Sequence, residues 1–211
     1  MFLSQIELEL RHPSVQQALR DCNDMHRNLM YGFPEHQVDD AARNRGSVLY
    51  RIQEQRGKIT LLLTSGIAPD REALAARGFI MMPDSPKDIS SLEHVLTKDK
   101  VLRFELVASP CKKMANDQKN SRRVFLRTEQ ERAQWLVRKA TQGGFEIMTC
   151  SEYSYTMPIE GNKGNMRIHF DAVRFVGVLR IVDPLLFWQT YCSGIGPGKA
   201  YGLGLLTVAR A

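Results

Sequence analysis

Val48-Leu-Tyr-Arg-Ile-Gln-Glu-Gln-Arg-Gly-Lys-Ile-Thr-Leu-Leu-Leu-Thr64 holds two runs of β-forming residues, 48–53 and 58–64, around Gln55-Arg56-Gly57. Two such runs joined by a short glycine-containing connection read as a hairpin. Working outward, Phe2 to Leu10 alternates apolar and polar side chains, the pattern of a half-buried strand. Pro13 suits the first turn of a helix, where its missing N–H would have no partner anyway. That helix runs through Arg20. Asp21, Cys22, Asn23 and Asp24 then interrupt it with capping-type side chains, so a second helix is expected from roughly Asp24 to Tyr31, ended by Gly32-Phe33-Pro34. Beyond the hairpin, Pro69 to Arg77 reads as a helix and Phe79 to Met82 as a strand. The order is β-α-β-β-α-β, the ferredoxin-like arrangement.

The same order returns further on. Val101 to Ala108 alternates as a strand, and a basic stretch, Lys112 to Arg127, follows it. Glu129 to Thr141 is a helix with Thr128 as its N-cap and Gly143-Gly144 as its stop. Phe145 to Cys150, Tyr153 to Ile159 and Met166 to Ile181 read as strands. Asp183-Pro184 opens a helix through Tyr191, and Leu203 to Ala209 closes the chain as a strand. The expected fold is α+β, two tandem ferredoxin-like (RRM-like) domains at 1–84 and 100–211 joined by a linker at 85–99.

Composition narrows the function. The 211 residues are 43% apolar, and 29 Lys plus Arg against 23 Asp plus Glu leave a net charge of +6. Such a balance points to a polyanionic partner. No apolar run is long enough to span a membrane, and Met1-Phe2-Leu3-Ser4-Gln5 does not read as a secretory signal, so a cytoplasmic protein is expected. Cys22, Cys111, Cys150 and Cys192 are scattered without a Cys-x-x-Cys pair and read as free thiols. No histidine pair has zinc-ligand spacing. Neither a metal nor a small-molecule cofactor is expected.

The segment Gly194-Ile-Gly-Pro-Gly-Lys199-Ala-Tyr-Gly-Leu-Gly204 resists the common phosphate motifs. A Walker A loop needs Ser or Thr after Gly-Lys and a glycine where Ser193 stands; Ala200 follows Lys199. A dinucleotide loop follows a strand and opens a helix, whereas this segment follows a helix. By physics alone two readings remain evenly matched. Gly194, Gly196 and Gly198 with Lys199 form an anion-binding turn, or the glycines serve a tight packed turn.

Gly-Ile-Gly-Pro-Gly-Lys-Ala-x-Gly-x-Gly-Leu-Leu resembles the C-terminal loop of the CRISPR-associated repeat endoribonucleases of the CasE type, which belong to the Cascade surveillance complex. Val182-Asp183-Pro184 before the last helix, the strand from Val173 to Leu179, the segment from Glu131 to Lys139, and Met25-His26-Arg27 are similar as well. The resemblance covers essentially the whole chain. It implies two ferredoxin-like domains, cleavage at the base of a CRISPR repeat stem-loop, and other Cascade subunits as partners.

Metal-free RNA cleavage uses the 2′-OH as nucleophile and needs a base, an acid and positive charge at the phosphate; histidine suits the proton steps. Of five histidines, the resemblance selects His26. On one continuous helix His26 would share the face of Val15, Leu19 and Cys22. The capping cluster argues for a break that places it in the first turn of a new helix. Asn23 stands where many family members have Tyr, and Tyr31 where some have Lys, so Tyr31 is the candidate second proton-transfer group. Asn23 is a candidate phosphate contact or cap, and Arg27 a candidate phosphorane stabiliser. Lys112, Lys113, Lys119, Arg122, Arg123 and Arg127, with Asp117 as the one acid among them, read as an RNA-facing run, as do Lys163 and Arg167 in the long hairpin. The aromatic RNP signature of an RRM is absent from 101–108 and 173–181, so base stacking on the sheet is not expected. Trp135 and Trp188 read as core. The rival reading is a non-catalytic RNA-binding module of this fold; a small-molecule phosphate enzyme is disfavoured by the failed motifs.

Overall fold

The computed structural model describes residues 1–33, 48–55, 57–76, 78, 85–114, 123–157 and 159–211. In the first half, strand β1 (Phe2–Glu7) leads to helices α1 (Pro13–Arg20) and α2 (Cys22–Met30). The hairpin β2 (Leu49–Gln55) and β3 (Lys58–Ser65) follows, then α3 (Arg71–Ala76) and a two-residue strand β4 (Lys87–Asp88). The sheet order is β2-β3-β1-β4, with β1 antiparallel to both neighbours. This is the ferredoxin-like order. The expected strand Phe79 to Met82 lies outside the described residues. The segment 85–99, expected as a linker, carries β4 and a short helix α4 (Leu92–Val95). Leu96 at its far end is buried in the core of the second half.

The second half begins with β5 (Val101–Ala108) and a small hairpin, β6 (Cys111–Lys113) with β7 (Arg123–Phe125). Helix α5 (Glu129–Gln142) follows, then β8 (Phe145–Ser154), a second hairpin of β9 (Ile159–Lys163) and β10 (Met166–Phe170), and β11 (Val173–Ile181). Helix α6 (Pro184–Ser193), a 3-10 turn at Lys199–Tyr201 and β12 (Leu206–Arg210) complete the chain. The order β12-β5-β11-β8 repeats the first sheet. The single strand expected over Met166 to Ile181 is broken by Asp171 and Ala172 into β10 and β11, which belong to different sheets.

Local chemistry explains the elements. Asp21 ends α1 and caps α2: its Oδ1 accepts from the N–H of Asn23 at 2.8 Å and of Asp24 at 3.2 Å. Thr128 and Glu131 form a reciprocal capping box on α5, worth about 1 kcal/mol. Two apolar cores lie under the sheets. Ile6, Val15, Met25, Leu29 and Leu61 build one. Phe104, Trp135, Phe145, Phe175 and Phe187 build the other, with Trp188 packed at its edge. A third cluster, Cys22, Val107, Ile159, Ile168 and Leu203, joins the halves. The ion pair of Arg51 with Glu105, 3.1 Å, crosses between them too. Among the described residues no helix is long and apolar enough to cross a membrane.

Candidate functional site

The break at Asp21 is real, and α2 starts at Cys22. His26 is therefore in its second turn, not its first. The dipole of a helix terminus fades within one turn, so it is not the main influence on this imidazole. His26 is half-buried, and its pKa is held below the ordinary 6.5, first by desolvation and second by the charge of Lys163 on β9. Neutral imidazole is thus the resting form at neutral pH, with a lone pair to accept a proton.

The ring of Tyr201, from the 3-10 turn in the glycine segment, meets the His26 ring edge to face at 6.2 Å between centroids. Phe170 on β10 lies 5.9 Å from the same tyrosine ring. Burial pushes the Tyr201 phenol up, with Cys22 and Asp21 adding to it, so it stays protonated and is a donor. The site is composite: α2 comes from the first half, and Lys163 and Tyr201 come from the second.

The other nominated residues of α2 are placed differently. Arg27 pairs with the buried carboxylate of Asp24 at 2.5 Å. Gln17 also donates to Asp24. Asn23 precedes His26 by three positions, on the same helix face; the cap is Asp21 rather than Asn23. Tyr31 is the exposed C-cap residue of α2. Five positions beyond His26, it is about 140° around the helix axis from it.

The glycine segment is a tightly packed turn that also brings Lys199 to a cleft. Gly194, Gly196, Gly198, Gly202 and Gly204 all have positive φ. A Cβ on Gly204 would lie 2.6 Å from the Ile195 carbonyl oxygen, so packing alone demands glycine there. Lys199 lines a cleft of about 460 Å³ with Lys113, Arg123 and Lys139. No acidic side chain lines it among the described residues. Desolvation, then Lys139, lowers the pKa of Lys199. One turn therefore gives Lys199 to a cationic cleft and Tyr201 to His26.

A neighbouring cleft of about 570 Å³ is lined by Arg127, Arg167, His169 and one acidic residue, Asp171, and shares Arg123 with the first. Arg132 steadies this region: it clasps Glu152 on β8 and donates to the carbonyls of Leu126 and Arg127. Lys112 instead pairs with Glu131 at 3.4 Å, and Arg167 with Glu160 at 3.8 Å. Lys119 and Arg122 lie outside the described residues. Sequence reasoning missed Tyr201 and Lys139. The first sits inside the segment singled out for its glycines, and the second on a helix read for its core face.

Comparison with known proteins adds to this geometry. A family profile described as "CRISPR associated protein" matches residues 1–210. The chain is 28% identical over 222 residues to the CRISPR-associated endoribonuclease Cse3 of Thermus thermophilus, covering 99% of this chain and 100% of that protein. It is 29% identical over 202 residues to the CRISPR system Cascade subunit CasE of Escherichia coli, covering 90% and 92%. Among solved structures, the CRISPR endoribonuclease Cse3 bound to 19 nt RNA superposes with a TM-score of 0.84 at 29% identity over 100% of both chains.

Proposed function

Because the chain belongs to the CRISPR associated protein family, matched over residues 1–210, we propose that it is a metal-independent endoribonuclease. It cuts CRISPR precursor RNA at the base of the repeat stem-loop and stays bound to the product as a Cascade subunit. The relatives named as a CRISPR endoribonuclease and as a Cascade subunit support this reading. The observation that carries it is the His26 imidazole, kept neutral at the junction of the halves between Lys163 and Tyr201.

His26 takes the proton of the 2′-OH beside the scissile phosphate. The 2′ oxygen attacks phosphorus, and the 5′ oxygen leaves. The ends are a 2′,3′-cyclic phosphate and a 5′-OH. Lys163 offsets the charge that builds on the phosphorane. The Tyr201 hydroxyl, rather than that of Tyr31, supplies the leaving oxygen with a proton, because Tyr201 is the phenol beside His26. Arg27 acts indirectly, through Asp24. The clefts around Arg123 hold the stem by its phosphates, which suits an A-form duplex read by shape and backbone.

The test is incubation with stem-loop repeat RNA in EDTA, followed by analysis of the ends. The parent protein leaves cyclic phosphate. His26→Ala binds the RNA as tightly and cuts it about 10²–10⁴-fold more slowly, the usual contribution of one proton-transfer group. Full cleavage by that variant overturns the assignment of the base. Binding without cutting by the parent identifies a non-catalytic RNA-binding subunit instead.

A further inference from the structure

Asp21 does more than cap a helix. Its Oδ1 accepts two N–H groups of the first turn of α2. Its Oδ2 accepts the backbone N–H of Asn162 on β9 at 3.1 Å. That residue directly precedes Lys163. The fit is close: a Cβ on Gly161 would collide with Asp21 Oδ1 and stand 3.1 Å from the Cys22 nitrogen. One carboxylate therefore joins the helix of His26 to the strand of Lys163, across the boundary between the halves.

We propose that Asp21 is a positioning residue that sets the spacing between the His26 imidazole and the Lys163 ammonium by holding α2 against β9. This rests on His26 being the base. A short, triply bonded side chain against a glycine leaves little freedom between the two elements, whereas the contacts of Arg167 and His169 with Glu160 at the surface of the same hairpin are exposed. Among the described residues, the groups facing His26 are Lys163 from β9 and Tyr201 from the turn; its own helix carries Cys22, Asp24 and the Arg27 paired to Asp24. Burial and Lys163 set its proton affinity. Any outward movement of β9 weakens both.

Two substitutions separate position from charge. Asp21→Asn keeps an acceptor for the helix cap but presents an N–H₂ to the Asn162 N–H. Gly161→Ala changes no charge and wedges β9 away from Asp21. The full-length protein is used, with thermal unfolding to verify the fold and His26 titration followed by NMR without RNA. Both variants are expected to raise the His26 midpoint toward 6.5. Both are expected to slow single-turnover cleavage about tenfold, as for a sub-ångström misplacement, with RNA affinity near the parent's. The double variant is no worse than the worse single one, because both break the same contact. A folded Gly161→Ala protein whose His26 titrates like the parent overturns the proposal. Shifted titration with undiminished cleavage leaves the tie standing and removes instead the reading of His26 as the base.

Discussion

His26 on α2 and Tyr201 in the turn before β12 meet edge to face, their ring centroids 6.2 Å apart at an interplanar angle of 75°. An aromatic ring there shields the imidazole from water and brings a phenolic donor to the same place. The two roles separate by mutation. Tyr201→Phe keeps the ring, so the His26 titration stays put while single-turnover cleavage slows by about 10²-fold through loss of the donor. Tyr201→Ala removes the shield as well and raises the His26 midpoint. A Tyr201→Phe protein that cuts at the parent rate shows that the hydroxyl is unused.

The pH profile follows from the same imidazole. Its folded pKa lies below 6.5, so the base limb of the cleavage profile falls on the acid side of that value and is flat at neutral pH. Lys163 lowers this pKa, so Lys163→Met moves the limb upward and slows the plateau. Stability has the matching sign. Between the folded pKa and 6.5 the unfolded chain binds more protons, so stability drops as pH falls through that window. In His26→Ala this part of the pH dependence is gone. Cleavage profiles and denaturant midpoints measured from about pH 5 to pH 8 check both.

Arg51 is almost wholly buried, its side chain 4% exposed, and Glu105 of the other half is its counter-charge at 3.1 Å. Glu105 also lies 3.7 Å from Arg174 at the surface. The two ends of this pair are therefore unequal. Glu105→Gln strands a buried cation and costs up to about 3 kcal/mol. Arg51→Met fills the space with apolar atoms and leaves Glu105 a partner, so it costs distinctly less. Urea unfolding of the two variants gives the comparison directly.

Two glycines with nearly equal φ separate strain from packing. Gly57 has φ +75 with open space around it, and Gly204 has φ +85 with the Ile195 carbonyl in the way. Gly57→Ala carries the left-handed strain alone, about 1 kcal/mol. Gly204→Ala adds a backbone collision and lowers stability by about 1–3 kcal/mol more. Lys199→Ala leaves the unfolding midpoint unchanged and weakens RNA binding. Denaturation and filter binding on the same three variants test the division.

Local signals were legible wherever a side chain acts on its own neighbourhood. The hairpin around Gly57, the interruption at Asp21 and the Thr128 cap all follow from short-range chemistry. The glycine segment was recognisable by pattern, and the pattern pointed at the turn that carries Lys199 and Tyr201. What lay hidden depends on partners far along the chain. Arg51, Thr60 and Thr64 are polar residues of the hairpin, yet all three are buried, and Arg51 meets Glu105 of the other half. Strand β4 has two exposed residues and no alternation to betray it. The contact of Tyr201 with His26 leaves no trace in either local sequence, because nothing in a helix names the loop that closes over it.

The carboxylate of Asp21 and the ring of Tyr201 have a consequence for heredity. Each half of this protein supplies only part of the environment of one imidazole. A chimera that takes its first half from one relative and its second from another inherits an intact His26 and an intact turn, yet a mismatched seam. The two halves are thus tied as a single unit of descent, although each carries a complete sheet of its own.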